Sequence, residues 1–199
     1  MKKVFLFDVG NVIKYPFDFK KFYSLLNVKE DYDTFMIFFR KTCSLAESGK
    51  ISDEDFFNGI IREFDLDIDL EEIIDFYNQS NGKYNLEALN LLEKIRNNGN
   101  KVYILSNLKK IDYDNFVRDV DKKYYDKFYS SYVIGYNKPD KEIFEYVIKD
   151  IGVNPSDILF FDDNENNVKN SRELGIDSRQ VNAYNLIEYF KENNNFDII

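Results

Sequence analysis

Asp8 closes a short apolar run, Val4-Phe5-Leu6-Phe7, and an acidic pair, Asp162-Asp163, closes another, Ile158-Leu159-Phe160-Phe161. A carboxylate at the C-terminal end of a buried strand stands where open α/β sheets bind their ligands. Each position also has an ordinary structural use. Asp8 can cap local amides, and Asp162, Asp163 and Asn164 can cap the helix that follows. Taken together, the carboxylates describe a hard-cation site. Mg²⁺ takes oxygen ligands, keeps several waters, and needs only one or two carboxylates beside a substrate phosphate. Two further positions suit the phosphate. Ser106-Asn107 ends the run Val102-Tyr103-Ile104-Leu105, where a hydroxyl and backbone N–H groups can hold an anion. Lys138-Pro139 precedes a helical pattern, and helix N-termini favour negative charge.

Composition removes most other chemistries. The 199-residue chain has no histidine and a single cysteine, Cys43. Ser-His-Asp and Cys-His catalysis, His-ligated zinc, an internal disulfide and Cys-rich metal sites are therefore excluded. Cys43 reads as a small buried hydrophobe rather than a reactive thiol. Acids number 36 against 27 bases, a net charge of −9, which argues against nucleic-acid and anionic-membrane partners. The apolar run after Lys2-Lys3 is about five residues before Asp8 interrupts it, short of the roughly 7–15 of a signal peptide. No apolar stretch approaches the ~20 residues of a membrane span. A cytoplasmic protein is expected, with its oligomeric state left open.

The elements that position these residues follow from periodicity. Strands are expected at residues 4–9, 101–106, 131–134, 157–161 and 178–181. All are short, and most are nearly all apolar or β-branched, as in a parallel sheet buried on both faces. Helix-period segments lie at 85–98, 139–151, 164–174 and 184–192. This alternation predicts an α/β fold with a doubly wound, Rossmann-like parallel sheet. Residues 17–82 break the pattern. They hold four helical segments, near 18–27, 31–47, 52–64 and 69–78, too many for a simple crossover. An inserted helical subdomain is expected there, on a core formed by 1–16 and 83–199.

The order of these sites along the chain resembles the haloacid dehalogenase (HAD) superfamily. Phe7-Asp8-Val9-Gly10-Asn11-Val12-Ile13 is similar to its first motif and Ile104-Leu105-Ser106-Asn107 to its second. Gly135-Tyr136-Asn137-Lys138-Pro139-Asp140 is similar to the third, and Phe160-Phe161-Asp162-Asp163-Asn164, with Asn167 following, to the fourth. The resemblance spans almost the whole chain, with residues 17–82 as a helical cap. Gly49-Lys50-Ile51-Ser52 is similar to a recurring cap feature of the branch that includes bacterial glucose-1-phosphate phosphatases and the epoxide-hydrolase phosphatase domain.

The resemblance implies that Asp8 is the nucleophile, forming an aspartyl-phosphate. It implies Mg²⁺ held by the side chains of Asp8 and Asp163 and the carbonyl of Gly10, with Asp162 nearby. Ser106, the Asn107 backbone and Lys138 are expected on the phosphoryl oxygens, offsetting the repulsion between two anions. One position departs. Most HAD phosphatases carry a second Asp, an acid/base, where this chain has Gly10. An acid there is commonly worth ~10²–10⁴-fold in rate, and no histidine can replace it. Either the leaving group is acidic, such as an anomeric hydroxyl, or a cap residue such as Asp18 supplies the proton, or the protein only binds phosphate. The glucose-1-phosphate phosphatase-like branch also has Gly, which favours the first. The expected function is a Mg²⁺-dependent phosphatase of a small phosphorylated metabolite, a sugar phosphate being one class. The alternatives are a non-catalytic or weakly active phosphate binder and a 2-haloacid dehalogenase. The acidic pair argues against the last.

Overall fold

The computed structural model describes residues 4–193. Residues 1–3 and 194–199, which belong to the expected core span, lie outside the described residues. Among the described residues, five strands form one parallel sheet: β1 (Val4–Phe7), β2 (Lys101–Ser106), β3 (Lys127–Ser130), β4 (Ile158–Asp162) and β5 (Asp177–Gln180). Their order is β3-β2-β1-β4-β5. β1 is therefore central, and the ends of β2 and β4 flank it. Phe7 stands level with Ile104 and Phe161, so Asp8, Ser106 and Asp162 emerge from the same edge.

Alternation along the strands explains why the sheet is buried on both faces. Val4 and Leu6 of β1 join Ile158 and Phe160 of β4 in one cluster, with Ile143, Phe144 and Val147 of α8 (Lys141–Ile151). Phe5 and Phe7 join Leu159 and Phe161 on the other side. That face is covered by α5 (Leu86–Asn97), α6 (Lys110–Asp119) and α10 (Leu186–Glu192). α9 (Glu165–Glu173) follows β4 directly.

Four helices lie between β1 and α5: α1 (Phe19–Leu26), α2 (Tyr32–Glu47), α3 (Asp53–Glu63) and α4 (Leu70–Ser80). Each starts at an acidic or hydroxyl cap: Asp18, Asp31, Ser52 and Asp69 accept from N–H groups of their first turns, which satisfies donors with no intrahelical partner. Ser52 and Asp55 complete a capping box. The four helices enclose a separate aromatic core of Phe22, Phe35, Phe39, Phe56, Phe57 and Phe64.

The third strand needs correction. Residues 131–134, expected as a strand, form a single helical turn, α7 (Ser131–Ile134), and the strand is the preceding Lys127–Ser130. β2 ends at Ser106, which pairs with Ser130, so a strand running on through 134 would have no partner. The chain instead turns over the sheet edge and ends the turn at Gly135, with φ +90°, a conformation that glycine adopts without steric cost.

Candidate active site

Asp8 extends the β1 ladder by one hydrogen bond, its N–H donating to Phe161 O at 2.9 Å. The chain then turns sharply, with the N–H groups of Val12, Ile13 and Lys14 all donating to Val9 O. The turn leaves Gly10 exposed and puts Asn11 in the left-handed region, at φ 52°. Asn11 Nδ2 donates to Asp163 Oδ2 at 2.8 Å, linking the loop after β1 to the loop after β4.

Lys138 ties the carboxylates together. Its ammonium lies 2.9 Å from Asp8 Oδ1 and 2.5 Å from Asp162 Oδ2, and it donates to Leu105 O at 3.0 Å. The segment carrying it is held by a reciprocal pair: Asn107 Nδ2 donates to Lys138 O, and Lys138 N–H donates to Asn107 Oδ1, both at 2.8 Å. Asp162 is wholly buried. Its second oxygen accepts from Asn164 N–H at 2.8 Å and Asn167 Nδ2 at 2.9 Å. Asp162 is thus engaged on both oxygens, whereas Asp163 faces the cleft.

Ligand oxygens of Asp8, Asp162 and Asp163 lie within 4.8 Å of one another. Three carboxylates and one ammonium leave an excess of negative charge in a buried place. Burial pushes the Asp8 carboxyl up to about 7; Asp162 and Asp163 add to the rise, while Lys138 and a hydrogen bond from Ser106 oppose it. Burial also raises Asp163. Burial works against the Lys138 ammonium, but Asp162 and Asp8 more than offset it and hold its pKa above the ordinary value. All-oxygen donors with uncompensated charge fit a hard divalent cation.

A cleft of about 510 Å³ joins these groups, lined by Asp8, Gly10, Asn11, Ser106, Asn107, Lys138 and Asp163 from the sheet edge. Phe17, Phe19 and Glu47 close it from the helical side. A second cavity of about 150 Å³ shares Gly10, Phe17, Phe19, Glu47 and Asn107 with it and runs on to Tyr77, Lys109 and Asp112. Asp8, Gly10, Ser106, Asn107, Lys138 and Asp163, all named from the sequence, therefore share one cleft, with Asp162 behind it. Asp18 does not join them: it caps α1 through Lys21 N–H and lines a different surface depression.

Glu47 and Lys109 escape the sequence reading. Glu47 is one acid in an ordinary amphipathic helix. Lys109 precedes α6 without a side-chain cap bond and is nearly inaccessible. Its ammonium lies 2.9 Å from both Tyr77 OH and Asp112 Oδ2.

Comparison with known proteins places the chain in a family. The sequence model of haloacid dehalogenase-like hydrolases matches residues 27–175. D-ribitol-5-phosphate phosphatase of Bacteroides thetaiotaomicron is 47% identical over 57 residues, 29% of this chain and 28% of that protein. Drimenol cyclase drtB of Aspergillus calidoustus is 37% identical over 91 residues, 44% of this chain and only 17% of that protein. Sesquiterpene phosphatase astK of Aspergillus oryzae is 26% identical over 178 residues, 87% of each chain. Among solved structures, a HAD family enzyme from Bacteroides thetaiotaomicron superposes with TM-score 0.82 at 26% identity, over 92% of this chain and 94% of that one. A mutant of that enzyme was crystallised with magnesium and inorganic phosphate and superposes with TM-score 0.80 at 27% identity, over 92% of this chain and 95% of that one. The motif order read from the sequence, the sheet that brings the motifs together and the family match over residues 27–175 agree, and the chain belongs to the haloacid dehalogenase-like hydrolase family.

Proposed function

We propose that this protein is a Mg²⁺-dependent phosphatase of a small phosphorylated metabolite. The observation that carries the reading is the meeting of Asp8, Asp162 and Asp163, with the buried Lys138 ammonium bridging Asp8 and Asp162. Asp8 is the nucleophile. Ser106, the Asn107 backbone and Lys138 hold the phosphoryl oxygens. Asp8, Asp163 and the Gly10 carbonyl hold Mg²⁺. Asp162 acts by fixing Lys138, since both its oxygens are engaged. Bound Mg²⁺ would supply positive charge against the anionic phosphate. The reaction is an in-line transfer to Asp8, giving an aspartyl-phosphate that water then hydrolyses.

Residues 17–82, with a core of their own, act as a cap on the core of 1–16 and 83–199 and select the substrate. The cavity beyond the cleft is small, about 150 Å³, and mixes aromatic walls with Lys14, Asn81 and Asp112. That lining suits a short polar alcohol, and a sugar or polyol phosphate is the substrate class. The ribitol-phosphate relative supports it. The test is phosphate release from a metabolite panel, with and without Mg²⁺, for wild type and Asp8→Asn. Loss of release in the variant and without Mg²⁺ is expected. Equal activity in the variant would overturn the nucleophile. Release that ignores Mg²⁺ would overturn the metal. A protein that binds phosphate without releasing any from the panel is a binder instead.

A further inference from the structure

If the protein is this phosphatase, an alkoxide leaving group needs a proton that Gly10 cannot give. We infer that Glu47, at the end of α2, is the general acid and base of the reaction. Glu47 lies on the wall shared by the Asp8 cleft and the cavity beyond it, where the leaving group must pass.

The placement is held by the core rather than by the cap alone. Ser131 Oγ donates to Glu47 O at 2.6 Å and accepts from Leu108 N–H at 3.0 Å. One turn earlier, Ser44 O accepts from Asn137 Nδ2 at 2.8 Å. Two residues later, Gly49 sits at φ +68°, so close to the core that a Cβ there would stand 2.9 Å from Tyr132 O. The end of α2 is thus clamped to the segment that also carries Lys138.

The surroundings suit a carboxyl that carries a proton. Burial raises its pKa, and Asp112 adds to the rise; Lys109, Cys43 and Lys138 oppose it. Both nearby ammonium groups are already paired, Lys109 with Asp112 and Lys138 with Asp8 and Asp162. Cys43 Sγ donates to Glu47 Oε1 at 3.4 Å. That leaves Oε2 to present the proton. The other acids lining the cleft are committed, Asp8 to attack and Asp163 to the cation.

In the first step an Asp8 oxygen bonds to phosphorus and the phosphorus–oxygen bond to the alcohol breaks. The departing electron pair takes the Glu47 proton, and neutral alcohol leaves. In the second step the Glu47 carboxylate takes a proton from water as that water's oxygen bonds to phosphorus. The bond to Asp8 breaks, its electron pair returns to Asp8, and phosphate leaves with Glu47 reprotonated.

The experiment compares two probes with wild type and Glu47→Gln, both with Mg²⁺. One is the best alkyl phosphate of the panel. The other is 4-nitrophenyl phosphate, whose phenolate leaves without a proton. Because kcat/KM reports the first step, Glu47→Gln should lower it by ~10²–10⁴-fold for the alkyl phosphate and by less than tenfold for the aryl one. A burst of 4-nitrophenol should then precede slow turnover in the variant, as the second step lacks its base. Equal losses on both probes, or none on the alkyl phosphate, would overturn the assignment. So would a wild type that cleaves only the aryl probe. A wild type inactive on every probe would instead overturn the phosphatase reading. Thermal melts check folding. If Glu47→Gln does not fold, Glu47→Asp carries the same comparison, and the absence of a leaving-group contrast there overturns the assignment.

Discussion

The hydroxyl of Ser131 donates to the backbone carbonyl of Glu47 at 2.6 Å, joining the turn after β3 to the last residue of α2. The same oxygen accepts from Leu108 N–H, so one side chain links three segments around the cleft. Ser131→Ala leaves both backbone groups without this partner. A buried group left unsatisfied costs about 1–3 kcal/mol, which urea unfolding should read as a lower midpoint. If Ser131 positions the proton donor, kcat/KM should also fall more for alkyl than for aryl phosphates. An equal fall on both would show that the link serves stability only.

Lys138 and Asp162 are both buried, and each is the other's short-range charge partner at 2.5 Å. Removing one side of a buried pair leaves an uncompensated charge, at about 3–5 kcal/mol. Lys138→Met should lose that much stability in chelator-treated protein, together with activity. Asp162→Asn in the same chain removes one of the two carboxylates left without Lys138, the other being Asp8. The double variant should therefore cost less than the sum of the singles by about 0.5–3 kcal/mol. Additive losses in urea unfolding would show that the pair is not coupled.

The strand-end residues were legible because their signal is local. Asp8, Ser106 and Asp162 each terminate an apolar run, and parallel pairing brings such ends to one edge. The β3 boundary was not, since Phe128-Tyr129 and Tyr132-Val133-Ile134 on either side of Ser130-Ser131 are equally strand-like, and only the end of β2 decides where pairing stops. α6 was missed because Lys109 gives no capping signal and Phe116 is its one deeply buried residue. Glu47 was illegible for a tertiary reason: nothing in Leu45-Ala46-Glu47-Ser48 says that Ser131, Asn137 and Tyr132 clamp that helix end onto the core.

Asp8 gives the metal-free protein a pH dependence of known sign. Its folded pKa, pushed up to about 7 by burial, lies above the ~3.9 of an unfolded aspartate. The folded state therefore holds the proton more tightly. The stability this contributes is fully present below pH ~4 and is lost as pH rises through ~7, an effect on the order of a few kcal/mol. With chelator present, the Tm difference between pH 5 and pH 8.5 should be larger for wild type than for Asp8→Asn. Saturating Mg²⁺ should shrink the wild-type difference, since a cation stabilises the ionised carboxylate. Identical pH profiles for wild type and Asp8→Asn would show that Asp8 titrates normally.

Gly10 offers a way to move the proton donor. A Cβ at this position would meet no atom within 4 Å, and Gly10 is not among the glycines with positive φ. An aspartate there is neither crowded nor strained, and it would sit on the wall that Glu47 shares. Gly10 is exposed, but a fourth carboxylate beside Asp8, Asp162 and Asp163 adds like charge to the cluster, so Gly10→Asp should lower stability in chelator-treated protein and less so with Mg²⁺ bound. In wild type it should add little to alkyl-phosphate turnover, since an acid already serves. In the Glu47→Gln background it should restore at least tenfold of the lost kcat/KM, because general acid catalysis contributes ~10²–10⁴-fold when a group of either origin reaches the leaving oxygen. Gly10→Asn in the same background has the shape without the proton and should restore nothing. Equal recovery by Asn and Asp would mean that the loss in Glu47→Gln is one of packing, and not of a proton.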